Sequence, residues 1–308
     1  MLRLVLKRIW GDVVPLSEHL EAWLGFWAIN TQRSYRRSLE RFQDSLGGVS
    51  LLNATELHCT RWATRVRKEI SPWSARHQIL ALKSAYDYLL RNKLVKENHW
   101  GRILDSMPRA KPGEQRPTKL VPFDQVLRII SAPSSVTTDG VRARAAFAVF
   151  FFCGLRSSEL FELRIGSVKT TDSGAMYLLL SKTKSQKFQK VAVPDTAAEY
   201  LDRLRELRDR EGAKPDAYLF TKFTEGRSVG KLTRAILRNS WAYYTRACGV
   251  EGAGMHAARA TLITKLLSDG VSYREVQEVS RHSSIQMLEV YDKRRFEIEE
   301  QANRKIKF

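Results

Sequence analysis

Between Met107 and Pro122 the chain runs through Pro108, Pro112, Pro117 and Pro122, four of its nine prolines, with Gly113, Lys111 and Arg116 among them. Proline fixes φ and removes a backbone donor, so such a run extends neither a helix nor a sheet and reads as a linker. It divides the 308 residues into segments of ordinary domain size, 1–106 and 123–308, with 107–122 as a basic tether. A plain linker would look the same, and a charged one also suits a protein that closes around a polyanion.

The N-terminal segment carries helical periodicity from about Leu16 to Asn98. Thr31 is placed to cap a helix whose inward positions are Tyr35, Leu39 and Phe42, with Arg33, Arg36, Arg37 and Arg41 on the other face. A second helix, about Glu56 to Lys68, turns Trp62 and Val66 inward and Arg61, Arg65 and Arg67 outward. Ser71 and Pro72 break it. A third, about Ser74 to Asn92, stripes Ile79, Leu82, Tyr86 and Leu89 along one side. Short helices of this kind make a small bundle with basic outer faces.

Charge narrows the partner. There are 52 Lys and Arg against 33 Asp and Glu, a net charge of +19, and the basic residues are interleaved with core residues rather than held in a low-complexity tail. Nucleic acid is the usual partner of such a chain. Cys59, Cys153 and Cys248 are odd in number and lack CxxC spacing, which argues against a disulfide framework or a zinc site and suits a reducing cytoplasm. The opening MLRLVLKRIW lacks the longer apolar core of a signal peptide, and the apolar run Ala145 to Cys153 is far short of the roughly 20 residues that span a bilayer. The expected location is cytoplasmic, on the nucleoid.

In the C-terminal segment, Asp124 to Ile130 and Val141 to Cys153 read as helices, the second buried. Met176 to Leu180 and Lys190 to Val193 read as two strands joined by a lysine-rich turn. Helices follow at about Thr196 to Arg210, Gly230 to Ala247, His256 to Asp269, Tyr273 to Val279 and Ile285 to Tyr291. The charged, amphipathic tail Phe296 to Phe308 suits docking on a neighbouring subunit. The expected fold class is mainly α with a small antiparallel β-sheet in the second domain.

Three stretches carry chemistry. Gly154-Leu155-Arg156-Ser157-Ser158-Glu159-Leu160 follows the buried helix, with serines able to cap the next one and Arg156 and Glu159 on one side. Alone it reads equally as a helix corner with a surface ion pair. His256-Ala257-Ala258-Arg259 puts an imidazole and a guanidinium on one helical face; isolated, that spacing is common. His282 stands nine positions before Tyr291, with Ser283 and Ser284 opening the segment between them. A phosphodiester cut without metal needs a nucleophile, cations for the phosphorane and an acid for the leaving oxygen. Arginine suits the second task, because its fork matches phosphate oxygens and stays charged.

In this order and spacing, Arg156, a hairpin lysine, His256-x-x-Arg259, His282 and Tyr291 resemble the tyrosine recombinase (phage integrase) family. The resemblance spans about Lys119 to Arg295 and extends loosely to the helical N-terminal half. Only about fifteen residues precede the first helix of the bundle, so the simple Cre/Xer-like type without an arm-binding domain fits better than the lambda type.

The resemblance implies a two-domain C-shaped clamp on DNA and a site-specific recombinase working through a 3′-phosphotyrosine and a Holliday junction. Integration, excision, inversion and resolution all stay open. Tyr291 would be the nucleophile; His256 would assist as a base or by orienting the phosphate; Arg156 and Arg259 would bind its oxygens and His282 would hydrogen-bond it. Glu159 would hold the arginine and histidine in place. Lys182 fits the general acid position just after the strand and Lys184 is the second candidate; Lys184 and Lys187 would touch backbone phosphates, as would Arg33, Arg36 and Arg37 in the other domain. No cofactor or metal is implied. The partners implied are double-stranded DNA with an inverted repeat, a second copy on the same site, a tetramer in synapsis and an optional accessory protein. Two departures stand out: Arg281 occupies the position where the family usually has glycine, and Ala260 follows Arg259 where histidine is frequent. Arg281 could crowd the helix entry or add a phosphate contact. A non-cutting DNA-binding protein of the same fold and a type IB topoisomerase are the alternatives.

Overall fold

The computed structural model describes residues 17–107, 118–180 and 189–292, and the chain divides into two units, Met1–Gln115 and Arg116–Phe308, a division that falls inside the proline-rich run. In the first unit α1 is Glu18–Gly25, α2 Ile29–Asp44, α3 Glu56–Glu69, α4 Pro72–Arg91 and α5 Trp100–Asp105. Local chemistry sets several of these ends. Ser71 caps α4 by accepting from the Ser74 backbone N–H, and Pro72 takes the first helical position, where its missing donor costs nothing. Thr55 and His58 close a reciprocal cap on α3. Thr31, expected as a cap, lies inside the first turn of α2, which starts after Ala28. Trp27 packs edge-on against Tyr35 with centroids 5.1 Å apart, and Trp23 stacks on the same ring at 5.5 Å. That packing fixes the chain's entry upstream of the threonine.

The core of this unit gathers Leu39 and Phe42 from α2, Trp62 and Val66 from α3, and Ile79, Leu82, Tyr86 and Leu89 from α4, closed by Trp100. Phe42, Trp62 and Trp100 meet edge to face, with Phe42–Trp100 at 4.8 Å and Trp62–Trp100 at 5.6 Å. Each such pair adds about 0.5–1.5 kcal/mol beyond the area it buries.

The second unit contains α6 (Val126–Ser131), α7 (Thr138–Phe152), α8 (Ser157–Glu162), β1 (Val168–Thr170), β2 (Met176–Leu180), β3 (Gln189–Ala192), α9 (Asp195–Arg210), β4 (Thr221–Thr224), β5 (Arg227–Lys231), α10 (Arg234–Ala247), α11 (His256–Ser268) and α12 (Tyr273–Ser280). The fold is mainly helical, with the strands in two small antiparallel sheets. Helix α7 is the hub: every residue from Ala145 to Phe151 is buried, and α6, α9, α10 and α11 all pack on it. Trp241 of α10 seals one side, its ring 5.2 Å from Phe147 and its indole N–H donating to the Ala253 carbonyl at 2.7 Å.

The sheet runs in the order β1-β2-β3, with Val168 opposite Leu178 and Leu178 opposite Val191, all three turned into the core. The lysine-rich turn between β2 and β3 lies outside the described residues. Two sequence expectations are corrected here. Residues 227–231, the last two assigned above to the start of a helix, form β5 of a hairpin with β4; Glu225 and Gly226 both take positive φ at its two-residue turn, and α10 begins only at Arg234, capped by Thr233. Ile285–Tyr291 is two short 3₁₀ turns, Ile285–Met287 and Glu289–Tyr291, instead of one helix. Leu288 alone is buried there, against Ile263, Leu267 and Val276, while Ile285, Met287 and Val290 are exposed. Leu288 and the partly buried Tyr291 give too short an apolar stripe to sustain an α-helix. Among the described residues, no helix is long and apolar enough to cross a membrane.

Candidate active site

The site begins where α7 ends. Gly154 turns the chain at φ +56, and Leu155 is buried, so the Arg156 backbone starts from a fixed base. The serines after it do not cap α8. Instead Arg156 is the capping position, and the Glu159 carboxylate closes the turn by accepting the Arg156 backbone N–H at 2.8 Å and its Nη1 at 2.7 Å. The Glu159 side chain is only 8 % exposed, which turns the Arg156–Glu159 contact from a surface ion pair into a built support.

His256 opens α11 and sits at its exposed rim, while Ala257 and Ala258 pack into the core behind it. Arg259 follows one turn on and is 1 % exposed. Its Nη1 donates to the Gly154 carbonyl at 2.5 Å and its Nη2 to the Ser280 carbonyl. Arg156 Nη2 donates to the next carbonyl, that of Arg281, at 3.1 Å. Consecutive carbonyls at the end of α12 therefore hold both arginines. His282 leaves that same end, its Nδ1 2.8 Å from Ser280 Oγ and its carbonyl accepting from Gln277 Nε2 at 3.0 Å. The Tyr291 ring lies 6.2 Å from the His282 ring, centroid to centroid.

Three guanidinium groups, from Arg156, Arg259 and Arg281, stand around the one carboxylate of Glu159, which bonds Arg156 and Arg281, so the cluster is net positive, and its ionisations follow. Loss of solvent and then the charges of Arg259, Arg156, His256 and Arg281 push His282 down to about 4, leaving a neutral imidazole at physiological pH. His256 is held below its ordinary value by restricted solvent and then by Arg259 and Arg156. Burial, and then the neighbouring Arg156 and Arg281, bring Arg259 down to about 10, against the pull of Glu159 and Tyr291. Burial raises Tyr291 above the ordinary phenol, and Arg259 works in the opposite direction. Burial would also raise Glu159, but Arg281 and the backbone and side-chain donors of Arg156 outweigh it and hold the carboxyl below its usual value.

Arg156, Glu159, His256, Arg259, His282 and Tyr291, from three separate stretches of sequence, thus meet at one place. Lys182, Lys184 and Lys187 lie outside the described residues. Arg33 and Arg37 are exposed on α2 in the first unit, whereas Arg36 is engaged by both oxygens of Glu21. Its fork is therefore occupied within the bundle. Sequence reasoning left Arg281 between crowding a helix entry and touching phosphate. Its guanidinium turns inward instead, at 6 % exposure, onto Glu159 and the carbonyls of Cys153, Gly154 and Val279. Its backbone is left-handed, with φ 56 and ψ 39, where glycine is at ease and other residues are strained. The only signal in the sequence was the departure from glycine itself. Among the described residues, no group of three or more His, Cys, Asp and Glu side chains gathers as a metal site would.

Residues 119–297 match the model of the phage integrase family. The chain belongs to the phage integrase family. A XerC tyrosine recombinase of Myxococcus xanthus is 28 % identical over 290 residues, covering 90 % of this chain and 92 % of the relative. One of Bacillus pumilus is 30 % identical over 220 residues, 70 % of this chain and 68 % of the relative. Among solved structures, the XerH site-specific recombinase bound to palindromic difH substrate in a post-cleavage complex superposes with a TM-score of 0.72 at 19 % identity, covering 90 % of this chain and 81 % of that one. A lambda integrase dimer bound to a COC′ core site gives 0.67 at 17 % identity, covering 92 % and 96 %. The structural likeness establishes the phage integrase fold.

Proposed function

We propose that this member of the phage integrase family is a site-specific DNA recombinase in which Tyr291 cuts one strand and later releases it to a new partner. The supporting observation is the gathering of Arg156, Arg259, His256 and His282 beside Tyr291, with both arginines held from behind by backbone carbonyls. The Tyr291 hydroxyl attacks phosphorus as its proton passes to His256 or to the phosphate. The phosphorane's added charge falls on Arg156 and Arg259, with neutral His282 donating to a phosphate oxygen. The bond to the 5′ oxygen then breaks, and that oxygen takes a proton from the hairpin lysine, Lys182 or else Lys184. A 3′-phosphotyrosine and a free 5′-hydroxyl result, and attack by a 5′-hydroxyl from the partner duplex restores the tyrosine. One phosphodiester is exchanged for another, so no external energy source is required.

The substrate is double-stranded DNA, approached through the exposed Arg33 and Arg37 of the first unit and Lys187 of the second. An inverted repeat bound by two copies, and a tetramer passing through a Holliday junction, are parts of the same proposal. Binding falls steeply with salt, as phosphate contacts displace counterions.

Wild type and Tyr291→Phe, each mixed with sheared DNA from the source organism, give the test. Protein–DNA adducts that resist SDS are recovered and sequenced. Adducts from wild type alone, converging on one short inverted repeat, are expected. DNA binding without any adduct above the Tyr291→Phe background would instead favour a non-cutting DNA-binding protein.

A further inference from the structure

Arg281 combines features that its place beside the site does not by itself require. Its backbone is left-handed, which glycine would adopt freely, yet the position carries a long side chain whose guanidinium is almost wholly enclosed. Strain of this kind persists only where the surroundings over-determine the conformation, and here they do. Nη1 donates to the Cys153 carbonyl at 3.3 Å and to the Val279 carbonyl at 3.0 Å; Nη2 donates to the Gly154 carbonyl and to Glu159 Oε2, both at 3.0 Å. The residue's own carbonyl accepts from Arg156, and the carbonyl before it, of Ser280, accepts from Arg259. The Gly154 carbonyl is shared between Arg259 and Arg281.

We infer that Arg281 is a positioning residue for the arginine pair: its guanidinium fastens the Ser280–Arg281 backbone, whose carbonyls hold Arg259 and Arg156, to the Cys153–Gly154 turn and to Glu159. The tie closes a loop. The turn after α7 sets where Arg156 starts, Glu159 holds Arg156 from one side, and the end of α12 holds both arginines from the other. Arg281 joins these supports, so none of them shifts alone. It also shares the Glu159 carboxylate, which therefore does not cancel the charge of Arg156. A glycine would allow the same backbone turn and, among the described residues, would leave the hydrogen bonds between the two stretches to the arginines they must hold. At 6 % exposure the side chain is not a DNA-reading group.

The inference rests on the recombinase reading, and the experiment separates the two. Full-length wild type, Arg281→Gly and Arg281→Lys are assayed on a nicked oligonucleotide carrying the inverted repeat recovered from the adducts. Binding is read by gel shift, and the cleavage rate by the first turnover to phosphotyrosine. Arg281→Gly should bind with unchanged affinity and cleave about tenfold to a hundredfold more slowly, the usual penalty for misplacing a catalytic group by an ångström or less. Arg281→Lys keeps charge and bulk but cannot fork between carbonyls and carboxylate, so it should recover only part of the rate; it also serves if the glycine variant does not fold. A wild-type rate in either folded variant overturns the inference, as does a loss of affinity that accounts for the loss of rate. Should wild type itself form no adduct, the recombinase reading fails, and crystal structures of the DNA-free variants decide the tie. Arg156 and Arg259 released from the Arg281 and Ser280 carbonyls would support it, and unchanged side chains would overturn it.

Discussion

Replacing Glu159 with glutamine keeps the shape of the side chain and removes its charge. The carboxylate accepts three contacts, from the Arg156 N–H at 2.8 Å, Arg156 Nη1 at 2.7 Å and Arg281 Nη2 at 3.0 Å. A glutamine oxygen can keep one or two of them, but its amide N–H groups face a donor at the other. The Arg281 contact is enclosed on both sides, whereas the Arg156 side chain is 34 % exposed and its charge is partly screened. Breaking one side of a buried ion pair costs about 3–5 kcal/mol. Because part of the hydrogen bonding survives, about 3 kcal/mol is expected. For a domain of this size, each kcal/mol lowers the midpoint by about 2–4 °C, so Glu159→Gln should melt roughly 6–12 °C below wild type at pH 7. Calorimetry resolves the second unit's transition and reads the shift directly. The sign with pH provides a second check. Glu159 has a folded-state pKa held below its ordinary 4.5, so its contribution is full above that value and is lost as pH falls through the folded one. The gap between variant and wild type should therefore hold from pH 7 down to about 4.5 and narrow only as pH falls below that value. A variant melting within a degree or two of wild type at pH 7, or a gap that does not narrow in acid, would refute this account of the cluster.

Other perturbations read other parts of the fold. Gly140→Ala would set a methyl 2.1 Å from the Ser134 carbonyl oxygen, a backbone atom that cannot swing away, and should cost about 3 kcal/mol or more in a denaturant melt; a variant of wild-type stability would mean the start of α7 is loosely held. Tyr86→Phe removes a buried hydroxyl donating to the Leu51 carbonyl at 2.6 Å. Since Ala54 N–H still serves that carbonyl, a loss of about 1 kcal/mol, confined to the first unit's transition, is expected. His282 ionises near 4 in the fold against an ordinary 6.5, so the unfolded chain binds the proton more readily. Stability should decline between pH 6.5 and 4, and His282→Asn should flatten that slope in denaturant midpoints measured at pH 7.5 and 5.

The motifs of the candidate site were legible in the chain because they depend on residue type, order and local spacing. A histidine and an arginine three apart share a helical face wherever the helix lies, as His256 and Arg259 do. The proline-rich run announced a division of the chain, and the apolar stripes of α2, α3 and α4 announced which sides would face inward. These signals are short-ranged, carried within a turn or two of helix.

What packing between side chains and between elements sets could not be read that way. Trp27 and Tyr35 moved the start of α2 past the threonine that should have capped it, and the short contact of Leu288 and Tyr291 left 3₁₀ turns where a helix was expected. The β4–β5 hairpin was missed because its strands carry little alternating apolar signal and its turn is Glu-Gly. Arg36, expected on the basic face of α2 beside Arg33 and Arg37, pairs with Glu21 from another helix, a contact its position in the sequence does not announce. Above all, Arg281 looked like an awkward substitute for glycine. Its meaning appears only when the ends of α7 and α12, more than a hundred residues apart in the chain, are brought within hydrogen-bonding reach. Residue type and spacing determine which groups are available for chemistry; the choice of which group holds which belongs to contacts that only the folded chain creates, because a guanidinium bonds whatever carbonyls and carboxylates tertiary packing sets within its span.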